Sequence, residues 1–255
     1  GRAGLRLVRP GWVRLRSLCL TAMWLSYYAG LPQMSFALAA ACYYTAPAWM
    51  ALAARLLGEP VGPRGWAAAA LTLAGAGLAI GPVGQVTPAI LWPLAAAVFY
   101  ALAGIVTRRR CGQETAGAMA LNLNLCLVAV AAMALAGLAI LGPGEGFVLA
   151  LWPPLAPRDW ALAGALGAML AAIATAVALA YRLAPTPVVG VFDTAYLGFA
   201  ALWGAALFAE ILGPREAAGL GLIALGAVLA GGGGATKRRG AREGAAPGSC
   251  RPRGR

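Results

Sequence analysis

The 255-residue sequence has no histidine, a single lysine (Lys237), and only four serines: Ser17, Ser26, Ser35 and Ser249. Without histidine the commonest metal ligand and general base is missing, and no serine has a base to activate it. Five cysteines, Cys19, Cys42, Cys111, Cys126 and Cys250, form no CxxC pair and show no ligand spacing, so neither a zinc site nor a redox motif is expected. The chain carries no P-loop, which excludes direct ATP coupling. No catalytic residue, metal or cofactor is therefore expected, and the sequence does not read as an enzyme. Charge is also scarce. Only 11% of residues are charged and 61% are hydrophobic, whereas a soluble domain carries roughly a quarter charged.

What remains is apolar sequence rich in glycine and alanine. Thirty-five glycines suit a helical membrane bundle, where small residues let backbones approach. Crossing the hydrocarbon takes about 20 apolar residues. Eight stretches qualify: 15–31, 36–57, 65–81, 89–107, 116–141, 160–183, 188–212 and 217–235. Clusters such as Gly142-Pro143-Gly144 and Gly213-Pro214-Arg215 interrupt them and end one helix before the next. The expected fold is an all-α, polytopic integral membrane bundle of about eight transmembrane helices.

Basic residues set its orientation. With the leader 1–14 in the cytoplasm, the inner segments hold Arg55, Arg64, Arg108 to Arg110 and Arg182. They also hold the basic leader and tail, leaving only Arg158 and Arg215 outside. This places the chain in the inner (plasma) membrane with a cytoplasmic C-terminal tail, 237–255, read as disordered. The net charge of +12 then serves the lipid bilayer as partner through anionic headgroups, and nucleic acid is not expected as a partner.

Sliding the sequence on itself by 151 positions aligns Glu59, Gly62, Pro63 and Arg64 with Glu210, Gly213, Pro214 and Arg215. Within 54–81 against 205–232, 13 of 28 positions are identical. The two copies fall on opposite sides of the membrane, making an inverted repeat of the kind found in secondary transporters. The second copy, 82–236, holds five helices. The first, 15–81, holds three, so its first two helices are expected to be missing by truncation.

Tyr43-Tyr44-Thr45-Ala46-Pro47, Gly58-Glu59-Pro60-Val61 and Arg64-Gly65-Trp66 with Gly75-Ala76-Gly77-Leu78 resemble the first EamA domain of the drug/metabolite transporter superfamily. Ala209-Glu210-Ile211-Leu212 and Gly226-Ala227-Val228-Leu229 are similar to its second. The resemblance implies ten helices in two inverted five-helix halves around a central cavity. It also implies alternating-access transport of a small-molecule substrate such as a metabolite, amino acid or drug-like compound. A homodimer is possible, and a non-transporting fragment is the alternative reading.

Candidate site residues follow from position. Asp193 is an ionisable group inside a span, costly and often functional. With Tyr196, Ala200, Trp203 and Leu207 it forms one helical stripe, which suits a cationic or zwitterionic ligand. The bland alternative pairs Asp193 with Arg182 or interfacial water. The repeat puts Cys42, Thr45, Trp49, Leu52 and Leu56 on the matching stripe, with helix packing as the competing explanation. Pro47 removes a backbone hydrogen bond there and should kink the helix. Trp24, Tyr27, Tyr28 and Tyr100 are either cavity aromatics or interfacial belt residues. Asn122 and Asn124 point about 200° apart on a helix, which favours interhelical hydrogen bonds. The recurring Glu and Gly-Pro-Arg residues are read mainly as fixed hairpin geometry, with Pro in the first helical turn.

Overall fold

The computed structural model describes residues 7–58, 60–80, 87–144, 149–150, 154–183, 195–209 and 212–243. Among them there is no strand. The helices are α1 (Pro10–Gly30), α2 (Phe36–Tyr43), α3 (Ala46–Leu56), α4 (Pro63–Ile80), α5 (Leu91–Arg110), α6 (Ala116–Leu141), α7 (Pro157–Leu183), α8 (Ala195–Phe208) and α9 (Pro214–Glu243). With α2 and α3 counted as one rod, each lies on one of the eight expected stretches. Three rods are long and apolar enough to cross a membrane by length and composition: Phe36–Leu56, Pro88–Arg110 and Ala116–Leu141. Of the others, α1 carries Arg14 and Arg16, and α8 has 14 residues, short of a full span.

The expected kink is a break. α2 ends at Tyr43 and α3 begins at Ala46, with Pro47 in its first turn. Proline has no amide hydrogen to give. The Thr45 amide (3.2 Å) and hydroxyl (2.7 Å) both donate to the Cys42 carbonyl at this point. Thr45 thereby satisfies backbone that the break would leave bare.

α2 occupies the centre. Ala37, Ala39, Ala40, Ala41 and Cys42 are all buried, so the short helix is covered on every side. Ala39 packs with Leu20, Met23 and Tyr27 of α1 and Ala96 and Ala103 of α5. Ala37, Ala40 and Ala41 pack with Ala76 and Ala79 of α4, Leu197 and Ala200 of α8, and Leu220 and Ile223 of α9. Only side chains this small let five neighbouring helices close on one. By contrast, α6 buries Ala118 alone, and Ile140 and Leu141 near its end are more than four-fifths exposed.

The closest approach joins α4 to α9. A Cβ on Gly75 would lie 2.5 Å from the Gly219 carbonyl oxygen, and one on Gly219 would lie 2.6 Å from the Gly75 oxygen. A Cβ on Gly226 would meet the Ala68 oxygen at 3.0 Å and Thr72 at 2.9 Å. As numbers rise along α4 they fall along α9, so the pair is antiparallel. The contacts are also reciprocal under the 151-residue offset. Exchanging Gly75 and Gly219 for their repeat partners yields Gly226 and Ala68, which also touch. Gly75 with Ile223 becomes Gly226 with Thr72 in the same way. Such reciprocity is the mark of a two-fold relation, here perpendicular to both helices.

The repeat reaches backbone conformation as well. Gly58 has φ +79 and its repeat partner Ala209 has φ +54. Both occupy the left-handed region at the end of a helix, where glycine is favoured and alanine is not. Pro63 and Pro214 open α4 and α9. The Gly213 amide donates to the Glu216 carboxylate at 3.0 Å, so the acid that caps α9 lies inside its first turn. Glu59 and Glu210 lie outside the described residues. α9 continues through Glu243, into the segment 237–255 expected as a tail, whose remainder lies outside the described residues. Lys237, Arg238, Arg239 and Arg242 favour helix, and no proline intervenes before Pro247.

Gly75→Val and Gly219→Val should each destabilise the protein by about 1–3 kcal/mol through overpacking. Gly77→Val, with nothing within 4 Å, should fall well short of that in the same thermal-unfolding assay. Ala209→Gly should stabilise by about 1 kcal/mol and Gly58→Ala should destabilise by a similar amount. Unfolding midpoints of the two variants measured side by side test the shared conformation.

Candidate functional site

Six of the seven tyrosines gather where α1, the end of α2, α5 and α8 converge. Tyr43 packs edge-on against Tyr27 (5.6 Å between centroids) and Tyr44 (5.6 Å), and tilts over Tyr100 at 5.5 Å. Tyr44 stacks on Tyr196 at 6.1 Å. The hydroxyls of Tyr27 and Tyr196 share a hydrogen bond of 3.0 Å. Trp24 stacks on Tyr28 at 5.5 Å, and Tyr28 meets the edge of Tyr27. Tyr27 and Tyr44 are buried, whereas Tyr28 is 50% and Tyr196 41% exposed.

This arrangement offers ring faces and neutral hydroxyls that can donate or accept. It suits a polar or cationic small molecule held by ring faces and phenols. Among the described residues no group of three or more His, Cys, Asp or Glu could hold a metal ion.

Of the expected residues, Trp24, Tyr28, Tyr100 and Tyr196 come together here. Thr45 and Trp49 pair with each other: the Trp49 indole donates to the Thr45 hydroxyl at 3.2 Å. They belong to the helix break next to Tyr44. Trp203 and Leu207 face outward, more than half exposed, because the buried face of α8 is Leu197, Ala200 and Gly204. Asp193 and the side chain of Arg182 lie outside the described residues. Asn122 makes the expected interhelical bond, accepting from the Ser17 hydroxyl at 2.8 Å. Asn124 instead donates to Ala120 in its own helix.

Tyr43 and Tyr44 are the site residues that sequence reasoning missed. The signal was two adjacent tyrosines ahead of Pro47. Adjacent helical residues diverge by about 100°, so at a break the pair can serve both neighbouring clusters.

Basic residues collect at one end of the bundle. The amides of Val8 and Arg9 donate to the Glu114 carboxylate, which ties the residues leading into α1 to the α5–α6 loop. Arg16 Nε donates to Thr107 at 2.9 Å, while its Nη1 is buried without a partner. Arg109 donates to the Leu57 carbonyl at 2.9 Å, closing α3. The Arg110 guanidinium lies 4.8 Å over the Trp12 ring. Burial pushes the Cys111 thiol at this end above its ordinary pKa, Glu114 adding to the effect and Arg16 opposing it.

No family model and no curated protein matches the chain. A crystal structure described only as that of a protein is similar, with a TM-score of 0.54 and 23% identity. The match covers 93% of this chain and 80% of the other. At that identity the likeness is one of fold alone.

Tyr27→Phe and Tyr196→Phe should each cost about 0.5–1.5 kcal/mol. The double variant should cost little more than either, because both remove one bond. A double-mutant cycle by thermal unfolding measures the coupling.

Proposed function

We propose that this chain is a polytopic membrane protein that moves a small metabolite by alternating access. The observation that carries this reading is the reciprocal antiparallel contact between α4 and α9. It supports an inverted repeat, an architecture in which the substrate lies where the repeats meet. The tyrosine cluster draws on both copies, Tyr27, Tyr43 and Tyr44 from the first and Tyr100 and Tyr196 from the second, and makes the best candidate for that place. The gathering of Arg9, Arg16 and Arg108 to Arg110 at one end supports a cytoplasmic assignment for it. Eight spans, the EamA-type family and a multi-pass location in the inner membrane belong to the same reading.

A second reading, a membrane-embedded chain that carries nothing, draws on the exposure of Tyr28, Tyr196 and Trp203. A carrier must shelter its polar site from lipid. Comparing the medium of cells expressing the chain with that of cells expressing Tyr43→Ala separates the two. A carrier should change the extracellular level of at least one small metabolite several-fold, and the variant should lose that change. Asp193→Asn asks the same of the expected carboxylate. Identical media with and without the wild-type chain would sink the transport reading.

A further inference from the structure

Most of α6 faces outward, and two amides fix which way it is turned. Asn122 accepts from Ser17 of α1 at 2.8 Å, so that edge of α6 is held against the bundle. Asn124 lies two residues on, about 200° round the helix, and is exposed. It shares its side with Gly117, Ala120, Val128, Ala131 and Leu135. All five are exposed, and all fall within about 40° of it at roughly 100° per residue. The helix is long and apolar enough to cross a membrane. At about 1.5 Å per residue its 26 residues run about 39 Å, and Asn124 sits about 12 Å from the first.

In a bilayer this is a costly place for a primary amide. One Asn124 donor reaches the Ala120 carbonyl at 2.9 Å, and its Oδ1 accepts no hydrogen bond from the described residues. Hydrocarbon supplies no partner for what remains. The side chain is also too short to reach the headgroups as a lysine or arginine can. Between two helices the same amide is favourable, since polar side chains hydrogen-bond across membrane helix pairs. It is also its own complement, carrying donors and an acceptor on one group. A two-fold axis brings the same residue of two copies face to face, and each Oδ1 then takes the other's second N–H. We infer that a second copy of this chain docks on the α6 strip, with Asn124 against Asn124 near its centre. Gly117, Ala120 and Ala131 let the two helices approach there. Lipid would leave the amide unpaired, and an unrelated partner would have to supply its own polar group at the same depth. The inference rests on the membrane reading and goes beyond transport, since it uses no part of the tyrosine site.

The test uses the full chain, singly labelled and reconstituted at low density into vesicles of phosphatidylcholine and phosphatidylglycerol, with copies counted by photobleaching. Wild type should give pairs well above the fraction expected from chance co-capture. Asn124→Ala should weaken pairing about tenfold, the scale of one interhelical side-chain hydrogen bond in lipid. Asn124→Gln should restore most of it. Ala131→Phe, which leaves the amide in place, should also reduce pairing by obstructing the approach. Cross-linking in native membranes locates the contact. Val128 and Met133 are matched in exposure, at 67% and 65%, but Met133 points about 180° from Asn124. A bismaleimide should join two copies of Val128→Cys and not of Met133→Cys, above the background of the native cysteines in wild type. Single copies in wild type, pairing unmoved by Asn124→Ala, equal cross-linking of both cysteine variants, or a different protein joined at 128 would each overturn the inference. A chain that does not stay with the vesicles would overturn the membrane reading beneath it. Lost metabolite movement with pairing intact would support the pairing and count against the transport reading alone.

Discussion

The backbone contact between α4 and α9 is the constraint on which the rest of the bundle depends. Gly75 and Gly219 bring carbonyl oxygens to within reach of the opposing helix, closer than any side chain allows. At that separation dispersion acts between backbones directly, and weak Cα–H···O contacts become available. The axis fixed by this contact places α2 against both helices and brings Leu197 and Ala200 of α8 into the same core. A bulkier residue here would displace three neighbours as well as one side chain.

Much of the architecture was legible in the sequence because it rests on local chemistry. Apolar runs of suitable length became helices, Pro63 and Pro214 opened two of them, and Pro47 interrupted a third. The repeat offset also relates features that no hydropathy plot contains and that only the backbone reveals, such as the matching left-handed residues Gly58 and Ala209. Individual polar contacts were harder to read. Asn122 and Asn124 are near neighbours in sequence, yet one bonds across helices and the other within its own. The difference lies in which face meets α1, a tertiary fact. Likewise the acid that caps α9 is Glu216, which has no counterpart at Gly65 in the first copy, so the repeat could not reveal it.

The candidate site was half legible for the same reason. Trp24, Tyr28, Tyr100 and Tyr196 were visible as aromatics in apolar helices. Tyr43 and Tyr44 gained their role from the break that follows them, where one ring joins α1 and α5 and the other joins α8. Trp203 shares a helical stripe with Tyr196 by periodicity, but α8 meets the bundle along Leu197, Ala200 and Gly204 instead. Periodicity gives the stripe and leaves its direction undetermined.

The way the helices pair has a consequence for how the chain is divided. α1 is fastened to α5 and α6 by Arg16 with Thr107, Ser17 with Asn122, and Glu114 at the amides of Val8 and Arg9 just ahead of it. α4 is fastened to α9. Helices before the α4–α5 connection therefore find their main partners after it, and the two sequence repeats are interleaved rather than set side by side. A cut at that connection would separate the copies as text but release no packed unit. Each piece would be the surface on which the other folds, as in an interlocked dimer whose two subunits happen to share one chain.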